Sequence, residues 1–247
     1  MSAFVALTQS GVRLYMREPA AAFFTVVFAP MLLVLFGFIY GNAPQAAFGG
    51  RGTVDVSVPA YLGVIVVTVG LISIPIGSST ERERGVLRRY RATPLCPISY
   101  IAADVTRYFL MTALGAGLLV AVGKIVYDVR FDGEPLAVLA GFALGSLSFF
   151  ALGYVLASVA PSARVAQTAG MVLAYPMMFL SGSTIPLENL PESVRRVAEF
   201  IPLTHVVTLL RGLWNGDALS MHGADMAILA LVLVVGTAVA ALAFRWE

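Results

Sequence analysis

The sequence predicts an all-α integral membrane protein with six transmembrane helices. Of its 247 residues, 59% are hydrophobic and only 12% are charged, and its mean hydropathy is +0.86. Soluble domains, by contrast, carry about 25% charged residues. A helical span needs about 20 consecutive, mostly apolar residues. Six stretches qualify: residues 20–40, 59–78, 108–127, 136–159, 165–181 and 224–244.

The polar stretches between these apolar runs leave no room for a second domain. The longest covers residues 181–223, whereas an autonomous domain usually needs ~50 residues or more with a core of its own. We therefore interpret residues 1–247 as a single transmembrane domain. The one cysteine, Cys96, excludes an intrachain disulfide and a cysteine-based metal site. The net charge of +2 is too small to predict nucleic-acid binding.

The segment before the first span predicts an amphipathic helix in the membrane interface. When residues 3–17 are plotted at ~100° per residue, polar and small side chains share one arc and apolar side chains cover the rest. The helix is expected to stop near Glu18, because the residue before Pro19 is pushed out of the helical region. Two roles fit this helix: a membrane-surface anchor and a contact with a cytoplasmic partner.

The distribution of basic residues predicts the orientation. Six spans place both termini on one side of the membrane, and that side carries ten of the 16 lysine and arginine residues. The positive-inside rule assigns this side to the cytoplasm. We therefore expect a multi-pass protein of the cell's inner (plasma) membrane with both termini in the cytoplasm.

The loop between the second and third spans predicts a short cytoplasmic helix. Thr80 and Glu83 form a capping-box pattern, and arginines follow around the apolar residues Val86, Leu87 and Tyr90. Anionic lipid headgroups would account for the arginines but not for the apolar face. A helix that docks another protein accounts for both.

The segment between the fifth and sixth spans predicts a small helical cap on the outer face. Residues 201–214 form an apolar run of 14, which is too short to cross a membrane and favours a re-entrant or interfacial helix. In residues 190–201, just before it, apolar side chains recur at helical spacing. We therefore expect short helices before the last span.

Glycine and proline residues within the spans predict close packing and kinks. Gly141 and Gly145 form a G-x-x-x-G pattern, which lets two helices approach closely, either within one subunit or across a dimer. Pro30, Pro75 and Pro176 lie within the first, second and fifth spans, where each removes a backbone hydrogen bond and favours a kink.

The sequence predicts no catalytic, cofactor-binding or metal-binding residue. Lys124 is the only lysine, and its surroundings do not fit the phosphate-binding pattern G-x-x-x-x-G-K-[ST]. Ser181 and His205 are the one pair worth considering as nucleophile and base, but no G-x-S-x-G elbow or third residue accompanies them. His205 and His222 show no metal-ligand spacing.

The order of these elements along the chain resembles that in the membrane subunits of ABC-2 type exporters. The resemblance covers essentially the whole chain. Residues 81–95 (ERERGVLRRYRATPL) are similar to the family's coupling-helix stretch, an E-x-G followed by eight residues and P-L. Residues 181–191 (SGSTIPLENLP) and 201–205 (IPLTH) resemble its S-G, P-x-x-x-L-P and N-P-L-T-H patterns. Ile201 stands where the family usually has Asn. Within the family, the S-G and P-x-x-x-L-P patterns are more similar to those of drug and small-lipid exporters.

The resemblance implies a permease that pairs with a second copy or a paralogue and with two cytoplasmic ATP-binding subunits. ATP and Mg²⁺ would bind in those partners, and this chain, which also contacts membrane lipid, would not itself be an enzyme. ATP binding would move the coupling helix and switch a central path from inward to outward access. The residues expected at the ATPase contact are Glu81, Glu83, Gly85, Val86, Leu87, Arg88, Arg89 and Tyr90.

The resemblance also implies that the second and fifth spans line the central path. The path residues expected there are Thr68, Ser73, Pro75, Thr168, Gly170, Met171, Tyr175 and Met178. Polarizable methionines and aromatic rings adapt to varied shapes, and none of these residues is ionised. We therefore expect outward transport of an amphiphilic or hydrophobic substrate, a drug or a lipid.

Three alternatives stay open. An ABC-2 exporter of a polysaccharide or glycolipid fits the same architecture. A self-contained secondary transporter or channel usually needs ionisable groups at mid-membrane, whereas Lys124 and Arg164 lie near the ends of spans. An intramembrane hydrolase would rest on Ser181 and His205 alone.

Overall fold

The computed structural model describes residues 3–45, 48–86, 97–184 and 191–243. Within these ranges the chain is helical, apart from short loops and one β-bridge between Gln45 and Arg51. The all-α prediction is therefore confirmed for the described residues. In chain order the main helices are α1 (Ala3–Arg17), α2 (Pro19–Tyr40), α3 (Thr53–Glu83), α4 (Pro97–Tyr127), α5 (Pro135–Val159), α6 (Ala163–Leu180), α7 (Glu192–Ala198), α8 (Pro202–Asn215) and α9 (Gly223–Ala243).

Five of the described helices are long and apolar enough to cross a membrane: α2, α3, α4, α5 and α9, the last with the turn that precedes it. The sequence predicted six spans. The missing one, residues 165–181, folds as α6 but is not among these five. Its first two turns contain Arg164 and Gln167, which make this 18-residue helix less apolar than the others.

The predicted N-terminal helix is present as α1 and stops where the sequence predicted. Glu18 has an extended backbone (φ −94°, ψ 94°) before Pro19. One face of α1 packs on the bundle, however, since Thr8 and Tyr15 are buried and the Tyr15 hydroxyl lies 2.6 Å from that of Thr25 in α2. Contact with α4 therefore holds this helix in place in addition to any membrane contact.

The third helix begins six residues earlier than the predicted span, which started at residue 59. Side chains cap the N-terminus of this helix. The carboxylate of Asp55 accepts a hydrogen bond from the amide of Gly52 (3.0 Å). Asn42 in turn accepts hydrogen bonds from the amides of Val54 and Asp55 (both 3.1 Å). Partners for these amides stabilise a helix start that apolar content alone does not reveal.

The helix boundaries beside the loop between the second and third predicted spans also differ from the prediction. The capping box at Thr80 and Glu83 is wrong, because both residues lie in the last turn of α3, where the Thr80 carbonyl accepts a hydrogen bond from the amide of Arg84 (3.0 Å). The fourth helix starts at Pro97 rather than residue 108. Its additional turns contain charged residues that pair within the protein, as described below.

Two π-turns precede prolines in the spans. Residues Phe23–Val27 of α2 and Val69–Ser73 of α3 each form a π-helical turn shortly before Pro30 and Pro75. A proline cannot donate its backbone hydrogen bond, and its ring crowds the preceding turn. The wider turn adapts the helix to this disruption, so the chain remains helical through both prolines.

The G-x-x-x-G pattern packs within the subunit. A Cβ atom at Gly141 would lie 2.9 Å from Leu213 of α8, and one at Gly145 would lie 3.1 Å from Val206 of the same helix. Of the two possibilities left open by the sequence, the structure therefore supports contact inside one chain. Helix α9 covers another part of α5.

The short helices before the last span contribute to the core. The apolar run 201–214 folds as α8, and its fully buried residues Leu203, Leu209 and Leu210 pack among α3, α5 and α9. Its end is a left-handed Gly216 (φ 99°), which allows the chain to turn back toward α9. The re-entrant placement of α7 and α8 in a membrane remains a prediction.

Candidate functional site

The last three residues of α3 contact three different helices. We call Glu81, Arg82 and Glu83 the clamp. The Arg82 guanidinium donates hydrogen bonds to the carbonyl oxygens of Ala157 (3.0 Å) and Ala160 at the end of α5. The last carbonyls of a helix lack partners within the helix, and a cation is favourable there. Arg82 therefore ties the end of α3 to the end of α5.

Glu83 holds the start of α6. Its carboxylate accepts a hydrogen bond from the amide of Ala163 (2.8 Å), the first residue of that helix. The hydroxyl of Ser162 accepts another from the amide of Val165 (3.3 Å). A carboxylate is also favoured electrostatically at a helix N-terminus. The clamp thus holds both sides of the short turn between α5 and α6.

Glu81 belongs to a largely buried polar cluster made of Glu81, Tyr100, Asp104, Arg107 and Tyr154. Arg107 pairs with Glu81 (3.2 Å) and with Asp104, and the hydroxyl of Tyr100 donates to Glu81. Tyr154 of α5 donates to Asp104 (2.7 Å). The Arg107 side chain is 11% exposed and that of Asp104 is 7% exposed. The cluster therefore links α3, α4 and α5 through charged groups that partners largely satisfy.

Sequence reasoning assigned two of the seven clamp and cluster residues, Glu81 and Glu83, to a site, and it missed the other five: Arg82, Tyr100, Asp104, Arg107 and Tyr154. It counted Arg107 as a cytoplasmic charge and found no ionisable group deep in a span, whereas Asp104 and Arg107 both lie on a helix that could cross the membrane. One signal was present, since Tyr100, Asp104 and Arg107 are spaced to share a helix face. Arg82 and Tyr154 gave no such signal, because their partners are distant in sequence.

The predicted coupling segment overlaps the clamp and continues beyond it. Glu81 and Glu83 belong to the last turn of α3, and Gly85 follows with φ +67°, its amide bonded to the carbonyl of Arg82 (3.0 Å). This left-handed backbone ends the helix and favours glycine. Val86 is half-buried. Four predicted coupling residues lie outside the described residues: Leu87, Arg88, Arg89 and Tyr90.

A cavity of about 610 Å³ lies beside the clamp, between α1, α2, α3, α4 and α6. Small-molecule sites typically measure about 300–1,000 Å³. The apolar part of its wall includes Leu14, Phe24, Phe28, Ile72 and Ile76. Its charged residues are Arg17, Glu18, Glu81, Arg84, Asp104 and Arg107. The wall is thus amphiphilic, with equal numbers of acidic and basic side chains.

Five of the eight predicted path residues line this cavity: Thr68, Ser73, Met171, Tyr175 and Met178. The second and fifth predicted spans therefore do share a concave surface. None of the predicted path residues is ionised, whereas the wall of the cavity that five of them line also contains charged side chains. One source of these groups is α4, which the prediction did not include.

The other three predicted path residues lie elsewhere. Pro75 is buried within α3, and the hydroxyl of Thr168 donates to the carbonyl of Arg164 on an exposed face of α6. A Cβ atom at Gly170 would collide with the carbonyl oxygen of Leu71. Gly170 therefore serves the close contact between α6 and α3, and a bulky residue there would disturb helix packing.

The structure does not pair Ser181 with His205. Both ring nitrogens of His205 have other partners, Asp225 (2.7 Å) and the carbonyl of Glu199 (3.0 Å). The Ser181 hydroxyl donates to that of Ser183 (3.2 Å). A nucleophile needs its base within hydrogen-bond reach. These contacts argue against the hydrolase alternative.

Comparisons with known proteins agree with this architecture. The model of a family described as ABC-2 type transporter matches residues 2–214. The inner membrane transport permease YhhJ of Escherichia coli (strain K12) is 25% identical over 162 residues, which are 63% of this chain and 43% of that protein. The daunorubicin resistance ABC transporter permease protein DrrB1 of Streptomyces coeruleorubidus is 27% identical over 207 residues, 78% of this chain and 68% of DrrB1.

A third relative is the probable multidrug ABC transporter permease YbhR of Escherichia coli (strain K12). It is 22% identical over 161 residues, 65% of this chain and 44% of YbhR. The chain therefore spans less than half of the length of YhhJ and YbhR.

Proposed function

This chain belongs to the ABC-2 type transporter family, and on that premise we propose that it is the permease subunit of an ATP-driven exporter. Its substrate is an amphiphilic or hydrophobic molecule, a drug or a lipid. The protein spans the inner membrane six times, through α2 to α6 and α9. At 1.5 Å per residue, the 18 residues of α6 reach about 27 Å, close to the thickness of the hydrocarbon core.

In this proposal the clamp end of the bundle faces the cytoplasm, together with both termini. The clamp end carries the basic residues Arg13, Arg17, Arg82, Arg84 and Arg107. At the opposite end, Asn42 bonds to the carbonyl of Tyr127 (3.3 Å), and acidic residues gather near these two: Asp55, Asp128 and Asp132. Under the six-span topology, ten of the 16 lysine and arginine residues fall on the side of the clamp, and this excess supports the orientation, because cytoplasmic segments carry an excess of lysine and arginine.

The cavity beside the clamp is the observation that carries the substrate class. An apolar body would fit against its aromatic and methionine side chains, and a polar end would lie toward Glu81 and Arg84. Such a wall suits a molecule with one apolar and one polar part. A long polyanionic chain fits poorly, because the charged residues of the wall are balanced in sign.

The clamp supports a route for energy coupling. Two cytoplasmic ATP-binding subunits would hold ATP and Mg²⁺, and they would act on the segment after Gly85 in this chain and in a second permease copy or paralogue. Displacement of that segment moves the end of α3. Through Arg82 and Glu83 it also moves the turn between α5 and α6, and with it one wall of the cavity.

The polar cluster gives little support to a self-contained ion-coupled carrier. Such a carrier needs an ionisable group that exchanges its partner during transport. Arg107 instead lies between two carboxylates, and tyrosine hydroxyls also donate to both of them. This arrangement is typical of a fixed junction between helices.

The proposal is tested by transport in inside-out membrane vesicles. The chain is produced with the ATP-binding subunit encoded nearest to it, and uptake of daunorubicin and of a fluorescent short-chain phospholipid is followed with and without Mg-ATP. We expect ATP-dependent uptake of at least one probe, and none when the ATP-binding subunit is omitted. Uptake driven by an ion gradient without that subunit would contradict the proposal.

A further inference from the structure

Two histidines connect α8 to α9 at the end of the bundle opposite the clamp. They are the only histidines in the sequence. His205 lies in the first turn of α8, and His222 ends the 3₁₀ turn Leu219–His222 just before α9. Both side chains are largely buried, with 15% and 11% of their surface exposed. The transport proposal assigns them no role.

The two rings share one carboxylate. The two oxygens of Asp225 contact Nδ1 of His205 (2.7 Å) and Nδ1 of His222 (3.2 Å). The remaining ring nitrogens also face oxygen atoms. Nε2 of His205 lies 3.0 Å from the carbonyl of Glu199, and Nε2 of His222 lies 3.2 Å from a carboxylate oxygen of Asp217.

Each ring therefore faces two acceptors. A neutral imidazole has one N–H donor and one lone pair, whereas carbonyl and carboxylate oxygens only accept. With a neutral ring, one of its two contacts would place lone pairs opposite each other. All four contacts become hydrogen bonds only when both rings carry two protons. The two positive rings then balance the negative charges of Asp217 and Asp225.

The surroundings favour the charged form of His205. The hydrogen bond to Asp225 raises the pKa of His205, and the contact with Glu199 acts in the same direction, although partial burial opposes both. Besides Asp217, the charged residues that line the same cleft as His222 are Arg195, Glu199 and Arg211. Guanidinium groups keep their charge across the pH range of interest, so they do not titrate with the histidines.

We propose that His205, Asp217, His222 and Asp225 form a proton-operated latch that fastens α8 to the start of α9. When both rings are protonated, four hydrogen bonds hold the two helices together. Loss of the protons removes two of these bonds and the positive charges of both rings beside Asp217 and Asp225. A rise in pH on the side of the membrane opposite the clamp therefore releases the turn between α8 and α9. A fall in pH fastens this turn again.

The most direct test is NMR of the full-length protein in detergent, with histidine labelled by ¹⁵N. Because there are only two histidines, single variants assign both ring signals. At pH 5.5 we expect both rings to carry two protons, and each to lose one as the pH rises. Amide exchange in residues 216–224, corrected for the intrinsic effect of pH, should accelerate about tenfold, the usual effect of losing a charge-assisted hydrogen bond.

Variants make the test independent of any single substitution. His205→Gln combined with His222→Gln removes the titrating groups, so the corrected exchange in residues 216–224 should no longer depend on pH. Glu192→Gln, on the exposed face of α7, is the control and should keep the wild-type dependence. A neutral ring at pH 5.5, or an unchanged pH dependence in the double variant, would overturn the latch.

Discussion

Arg82 in α3 donates a hydrogen bond to the carbonyl oxygen of Ala157 in α5, with 3.0 Å between the two atoms. The two residues are 75 positions apart in the chain. One residue further on, Glu83 holds the first amide of α6. The end of α3 therefore moves together with the turn between α5 and α6.

We expect Arg82→Ala to separate ATP hydrolysis from transport while the ATP-binding subunit still binds. The change leaves the carbonyls of Ala157 and Ala160 without their donor, but it does not alter the segment after Gly85. Losing a charged hydrogen bond commonly shifts an equilibrium by tenfold or more. The measurement is the amount of substrate transported per ATP hydrolysed. Arg196→Ala is the control, and an unchanged ratio in Arg82→Ala would contradict the role of the clamp.

The polar cluster predicts a large stability effect of Arg107→Met. Without the guanidinium, the carboxylates of Glu81 and Asp104 remain buried near each other, and breaking such a buried pair typically costs about 3–5 kcal/mol. Tyr154→Phe removes one hydrogen bond and should cost about 1–3 kcal/mol. Unfolding of the purified protein by sodium dodecyl sulfate measures both. If Arg107→Met is no less stable than Tyr154→Phe, the cluster does not hold the helices together.

Docking of the ATP-binding subunit is tested at Leu87 and Arg88. Removing a buried apolar anchor or a desolvated charge from an interface commonly costs ~2 kcal/mol or more. We expect Leu87→Asp combined with Arg88→Glu to release the subunit or to uncouple its hydrolysis, while the permease still inserts into the membrane. Copurification of the subunit with unchanged substrate stimulation would show that this segment does not dock it.

The orientation is tested by single cysteines in a Cys96→Ser background. Ser2→Cys and Arg91→Cys should react with an impermeant thiol reagent only after the inner face is opened. Glu192→Cys, on α7, should react in intact cells. These results follow if the basic end of the bundle faces the cytoplasm. Labelling of Arg91→Cys from outside would reverse the topology.

The features of the fold that could be predicted from the sequence are those that local residue patterns determine. Apolar length located most of the long helices, and Pro19 located the end of α1 at Glu18. The start of α4 was missed because Asp104 and Arg107 look incompatible with a span until they are seen to neutralise each other. The contact of Arg82 with Ala157 could not be predicted, since it depends on which helix ends meet in space.

The neighbouring residues Met171 and Val172 offer a matched pair for testing the substrate path. The two are adjacent on α6, but Met171 lines the cavity, whereas Val172 is 64% exposed on the outside of the bundle. We expect Met171→Trp to narrow the cavity and abolish both export and substrate-stimulated ATP hydrolysis, with basal hydrolysis and complex assembly intact. Val172→Trp adds similar bulk to the same helix without entering the cavity, and it should export normally.

Gly170→Trp separates loss of the cavity from loss of packing, because Gly170 lies against Leu71 and any side chain there would push α6 away from α3. We therefore expect Gly170→Trp to lower the stability of the permease itself, whereas Met171→Trp should leave it near the wild-type value, since the added ring occupies existing space. Both are measured by unfolding in detergent alongside vesicle transport. Normal export by Met171→Trp would place the substrate path outside this cavity, even if Gly170→Trp fails to export.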